Sequence, residues 1–189
     1  MDIRFSLYFL LRLCYTQFMK YDYPTIYNKN VKFLSAHLKL KKAVVLFNTF
    51  IPYFFGVAYL LLWLYGAFEA EFGATDFLKI ACAPAFTLLL VWVLRLATER
   101  SRPYSQNGAG ITPLQEKEGE SSSFPSRHLA SAAVISMAFL PYLPVVGALL
   151  FLCTIGLGYT RFALGWHYPS DLFVGFALGF AIGAVPLFF

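Results

Sequence analysis

Charge is scarce in this chain. Only 13% of its 189 residues are Asp, Glu, Lys or Arg, against about 25% in soluble domains, which leaves too few charges to cover a water-facing surface. Cysteine is equally sparse. Cys14, Cys82 and Cys153 stand in apolar surroundings without paired or metal-ligand spacing. That excludes a disulfide-stapled secreted domain and reads as small buried hydrophobes. No cleavable signal peptide is expected, because Arg12 interrupts the apolar run at 5–14 and no small-residue cleavage site follows. What is abundant is hydrocarbon. Hydrophobic residues make up 59%, including 21 Phe and 12 Tyr, and mean hydropathy is +0.62. Disorder and fibrous repeats are thereby excluded, and an integral membrane protein is expected.

A bilayer core about 30 Å thick takes roughly 20 apolar helical residues to cross. Residues 43–68 carry no charge and form the clearest span. Residues 77–94 form the next, with Lys79 able to snorkel at its start and Pro84 expected to kink it. Residues 129–160 are also uncharged, but one helix of that length would run about 48 Å. The Pro141-Tyr-Leu-Pro144 segment divides it into two antiparallel helices. Residues 172–189 supply the last span. The expected fold is therefore all-α, an integral membrane bundle of five transmembrane helices, with no internal repeat. Residues 3–19 leave a sixth crossing open, although Arg4 and Arg12 favour a position in the interface.

The basic charge is concentrated at one end. Residues 1–43 hold eight Lys/Arg against two Asp, a net +6 that leaves −1 for the remainder. Two domains are expected: a basic interfacial segment over 1–43, with an amphipathic helix at 28–42, and a membrane-embedded domain over 44–189. Such an arm beside a membrane meets anionic lipid headgroups, not nucleic acid.

Counting crossings puts 95–103, 125–128 and 161–171 on one membrane face, so polar chemistry gathers at a single mouth. In the first segment Arg95 and Arg102 lie seven apart, in phase if helical, with Pro103 expected to end the helix. In the second, Ser126 is a natural N-cap, and the free N–H groups behind it, with the helix dipole, make an anion site that His128 can enter. In the third, His167 and Asp171 lie four apart and can hydrogen bond if helical, fixing the imidazole tautomer and leaving a nucleophilic nitrogen. A structural ion pair between Arg161 and Asp171 is the competing reading. Together, three guanidiniums and backbone donors suit a phosphate, and two differently partnered histidines suit a nucleophile and a general acid.

The three segments, R-x6-R-P (Arg95 to Pro103), P-S-R-H (Pro125 to His128) and T-R-x5-H-x3-D (Thr160 to Asp171), resemble the signature of the type-2 phosphatidic acid phosphatase superfamily. The likeness covers about 44–189. It implies that Arg95, Arg102 and Arg161 hold phosphoryl oxygens and that Ser126 and the N–H groups around Arg127 complete the cradle. It further implies that His167 attacks phosphorus to give a phosphohistidine, that Asp171 orients it, and that His128 protonates the leaving group and then activates water. No metal or other cofactor is implied. This chain has Arg95 where the family has Lys, Thr160 where it has Ser, and Arg127 where it has Gly. The first two keep the charge and the hydroxyl. Arg127 adds a cation that either a second phosphate or a lipid headgroup could meet.

A membrane lipid phosphate is the expected substrate, with phosphatidic acid, phosphatidylglycerophosphate and undecaprenyl diphosphate as candidates. The alternatives are a lipid phosphotransferase using the same histidine and a non-catalytic anionic-lipid binder. The polar stretch 104–124 is placed to cover the mouth. The expected location is a bacterial cytoplasmic membrane. Six lysines at 20–42 put the site on the cytoplasmic face, whereas the resemblance points to the outer face for many bacterial relatives.

Overall fold

The computed structural model describes residues 23–70, 72–105, 108–116 and 122–187; the expected interfacial run at 3–19 and Cys14 lie outside them. The described residues form six α-helices and no strand: α1 (Tyr23–Ala36), α2 (Leu38–Phe68), α3 (Ala74–Thr98), α4 (Arg127–Phe139), α5 (Pro144–Ala163) and α6 (Pro169–Ala184), followed by a 3-10 turn at Val185–Leu187.

Three of these, α2, α3 and α5, are long and apolar enough to cross a membrane. Their outward faces carry Leu60, Phe86, Trp92 and Leu152, as a lipid-facing wall requires. Cys82 is on such a face and Cys153 is half-buried, so neither is the buried hydrophobe expected. Pro52 and Pro84 sit inside α2 and α3 without ending them. At 13 and 16 residues, α4 and α6 run about 20 and 24 Å. The short α4 lies at the centre, packed by α6, α5, α3 and α2.

The break inside the uncharged run falls where expected. α4 stops at Phe139, the Leu143 N–H bonds the Phe139 carbonyl at 2.7 Å, and Pro144 opens α5 at a position where proline loses no helical hydrogen bond. Asp76 pins this turn to the start of α3: one carboxylate oxygen accepts the Gly73 N–H and the other the Tyr142 hydroxyl, each at 2.9 Å. The amphipathic helix has different limits from those expected. Among the described residues it runs over Tyr23–Ala36; His37 interrupts it, and residues 38–42 open α2. The reason is tertiary: Tyr23 and Tyr27 are buried against Phe162 and Tyr168, which anchors the earlier start.

The α4–α6 contact fixes the site. Gly175, Gly179 and Gly183 form one stripe of α6 that lies directly on the α4 backbone. A Cβ at Gly179 would stand 2.2 Å from the Ala130 carbonyl oxygen, and one at Gly175 would stand 2.5 Å from that of Ser126. Small residues permit this approach between membrane helices. Gly179→Leu is expected to force the pair apart at a cost of about 3 kcal/mol or more, read as a lower thermal midpoint in detergent. Gly56, with nothing within 4 Å of its built Cβ, is the control, and Gly56→Ala leaves the midpoint unchanged or higher.

Candidate active site

The three segments meet at one end of the bundle. The Ser126 N–H, at the start of α4, bonds the Asp171 carbonyl at 2.9 Å in the first turn of α6. Arg102 reaches the Trp166 carbonyl at 3.0 Å. Arg95, in the last turn of α3, donates to the Pro125 carbonyl at 3.1 Å.

Arg95 and Arg102 do not share a helix. α3 ends at Thr98 because Glu99 takes a left-handed conformation (φ 42°), which no helix continues through. The stop therefore comes four residues before Pro103, and a loop folds Arg102 back until it is 5% exposed. Burial holds the Arg102 guanidinium below its ordinary pKa, and the positive charge of Arg127 acts in the same direction.

His167 and Asp171 are not one turn apart in a helix either. His167 lies in the turn before α6, outside the membrane-spanning segments, and its Nδ1 stands 3.6 Å from Asp171 Oδ2. The closer partner is the Ser123 carbonyl, at 2.9 Å. A carbonyl only accepts, so Nδ1 carries the proton and Nε2 keeps its lone pair, which faces the Arg102 guanidinium at 3.4 Å. Burial pushes the His167 pKa from 6.5 down to about 4; Asp171 opposes this, and Arg102 and Arg161 add to it. His167 is neutral through the physiological range.

Asp171 is fully buried, and its partner is Arg100, not Arg161. Arg100 donates to Oδ1 at 2.5 Å and to the Ser170 hydroxyl at 2.9 Å, with its guanidinium 4.2 Å over the Tyr168 ring. The other carboxylate oxygen takes the Tyr168 N–H at 2.9 Å. The Arg100 carbonyl also accepts the Ser123 N–H at 2.8 Å, so one residue braces both partners of His167. No spacing in the sequence singles out Arg100. The only local signal is a third arginine beside Arg102, and its target is 71 positions away.

Arg161, on the last turn of α5, is 3% exposed and stacks 5.0 Å over Trp166. Its Nε is buried without a hydrogen-bond partner, and so is the hydroxyl of Ser126, which occupies the N-cap position yet makes no side-chain cap bond. Arg127 is exposed and His128 half-buried in the first turn of α4. The described part of the covering stretch is packed down: Leu114 N–H bonds the Leu164 carbonyl, Trp166 Nε1 bonds Gln115, and the Tyr27 hydroxyl lies between Thr112 and Leu114.

The sequence model of the PAP2 superfamily matches residues 76–187, which contain every site residue above. A lipid A 1-phosphatase of Rhizobium johnstonii is 35% identical over 96 residues, half of this chain and 39% of that protein. A candidate undecaprenyl-diphosphatase of Escherichia coli is 29% identical over 120 residues, 63% of this chain and 58% of that protein. The chain thus spans about two fifths of the lipid A 1-phosphatase it matches. The crystal structure of a transmembrane PAP2-type phosphatidylglycerolphosphate phosphatase from Bacillus subtilis superposes with a TM-score of 0.61 at 24% identity, covering 99% of this chain and 95% of that one, which shows a shared fold.

Proposed function

The chain belongs to the PAP2 superfamily, and from that premise we propose that it is a lipid phosphatase that removes a terminal phosphate from a lipid at the membrane face. The observation that carries this is a neutral, fixed His167 beside buried arginines, with Ser126 Oγ and Arg161 Nε buried and unpartnered. An unsatisfied buried donor costs about 1–3 kcal/mol, and a bound phosphate would remove that cost at both atoms.

In this reading Arg95, Arg102 and Arg161 bind phosphoryl oxygens together with Ser126 and the N–H groups at the start of α4, where the helix dipole favours an anion. Arg102 turns from the His167 nitrogen to a phosphate oxygen, freeing the Nε2 lone pair for in-line attack. His167 becomes a phosphohistidine while His128 gives its proton to the leaving oxygen; His128 then takes a proton from water, whose attack releases phosphate. Apolar helix walls hold the lipid chain.

Phosphate release by the detergent-solubilised protein tests this, across phosphatidic acid, phosphatidylglycerophosphate and a prenyl diphosphate in excess EDTA. Release from at least one lipid, undiminished by EDTA, is expected. Folded protein that releases none would reject a phosphatase, and loss on chelation would reject a metal-free route.

The pH dependence follows from His167. Its protonation silences the nucleophile, so the acid limb of kcat/KM assigned to it lies near pH 4 and not near 6.5. Stability has the same sign. Between pH 6.5 and about 4 the unfolded histidine binds a proton that the folded one does not, so unfolding becomes easier as pH falls through that window. An acid limb at 6.5 would contradict a buried neutral nucleophile.

A further inference from the structure

Next to the candidate active site a cavity of about 310 Å³ opens between α2, α3, α4 and α5. Its wall is apolar, with Phe55, Leu88 and Leu157, and its polar end is formed by Arg127, His128 and Ser131. The polar end is the first turn of α4, where residues 127 and 131 follow one another on one face. Arg127 thus lies at the polar end of a hydrocarbon-lined space, and its positive charge acts on the buried Arg102.

The position of His128 decides what the cavity receives. On the reading proposed above, His128 protonates the leaving oxygen, so the leaving group lies in the cavity that His128 lines. A lipid with one phosphate leaves as a neutral alcohol, and offers a guanidinium no anion to pair with. A lipid with a second phosphate beyond the scissile one leaves as an anion, which a guanidinium at that point can hold through paired hydrogen bonds.

We propose that Arg127, at the mouth of this cavity, forms a second-phosphate subsite on the leaving-group side, and that the preferred substrates are lipids carrying a second phosphate beyond the one removed. The inference rests on the phosphatase reading. For a diphosphate, His167 Nε2 bonds to the terminal phosphorus as the bond to the bridging oxygen breaks. The departing lipid monophosphate takes that electron pair and the His128 proton, and its charge rests against Arg127. Water, deprotonated by His128, then attacks the phosphohistidine and releases orthophosphate.

Arg127→Ala keeps the backbone N–H of the cradle and removes only the cation. Its kcat/KM is expected to fall by about 10- to 100-fold more on a prenyl diphosphate or phosphatidylglycerophosphate than on the prenyl monophosphate or phosphatidic acid. Arg127→Lys should recover part of that difference. The larger loss among the two-phosphate lipids identifies a direct diphosphate or a glycerol-linked one. Equal losses on all four lipids would overturn the subsite, and if they scaled with the anionic lipid content of vesicles they would assign Arg127 to bulk headgroups. A second arm needs no turnover. In His167→Ala protein, adding Arg127→Ala should weaken binding of the prenyl diphosphate at least tenfold more than binding of the monophosphate, and equal weakening would overturn the proposal. That difference without phosphate release from any lipid by the unmutated protein would reject the phosphatase reading and leave the subsite standing.

Discussion

His167→Ala is expected to end phosphate release, lowering kcat by roughly 10⁴-fold or more, the order seen when a covalent nucleophile is removed. The Ser123 carbonyl holds the proton on Nδ1, and the remaining lone pair on Nε2 faces Arg102 within the buried shell. His167→Asn is the sharper variant, since its amide can still donate toward Ser123 while the attacking nitrogen is gone. It should retain a thermal midpoint close to that of the unmutated protein and none of its activity. Substantial turnover in either variant would move the nucleophile to another residue.

Arg100→Gln is expected to damage both stability and the titration of His167. Asp171 is fully buried and Arg100 is its cation; removing one partner of a buried pair costs about 3–5 kcal/mol, which should appear as a lower thermal midpoint. The more specific consequence concerns pH. Asp171 stands 3.6 Å from His167 Nδ1 while Arg100 holds it. Released, the carboxylate can close on the imidazole, stabilise its protonated form and raise the acid limb of kcat/KM above pH 4. Arg100→Lys restores a charge without the planar stack over Tyr168, so it should lie between the two. A loss of stability with no movement of the acid limb would reduce Arg100 to a purely structural brace. In this reading Arg100 is a positioning residue, acting through Asp171 and Ser123.

The candidate site was legible in the sequence as a set of residues but not as an arrangement. Spacing and capping point to Arg95, Arg102, Ser126, His128, Arg161, His167 and Asp171, and the family resemblance adds Arg127; the structure places them at one end of the bundle. The contacts assigned by helical phase did not follow. A seven-residue spacing puts Arg95 and Arg102 on one face only within a continuous helix, and Glu99 ends α3 between them. A four-residue spacing puts His167 and Asp171 one turn apart only if both are helical, and α6 begins after His167. The partner given to Asp171 in the competing reading, Arg161, is replaced by Arg100. The first two differences come from helix periodicity carried past a helix end, where the chain turns under tertiary constraints; the third is a long-range pairing that periodicity does not address.

By itself the sequence determined that the chain is apolar and helical, where its long uncharged runs are, that the 129–160 run must break at its two prolines, and that its polar chemistry gathers at one mouth. Those properties are local: hydrophobic transfer acts residue by residue, and proline acts on its own turn. Only the tertiary structure decided that α6 lies against α4 through three glycines, that a backbone carbonyl 44 residues away sets the tautomer of His167, and that Arg100 holds the buried carboxylate from 71 residues away. Partners that distant are chosen by how helices pack and loops return, and no periodicity in the sequence encodes which donor meets which acceptor.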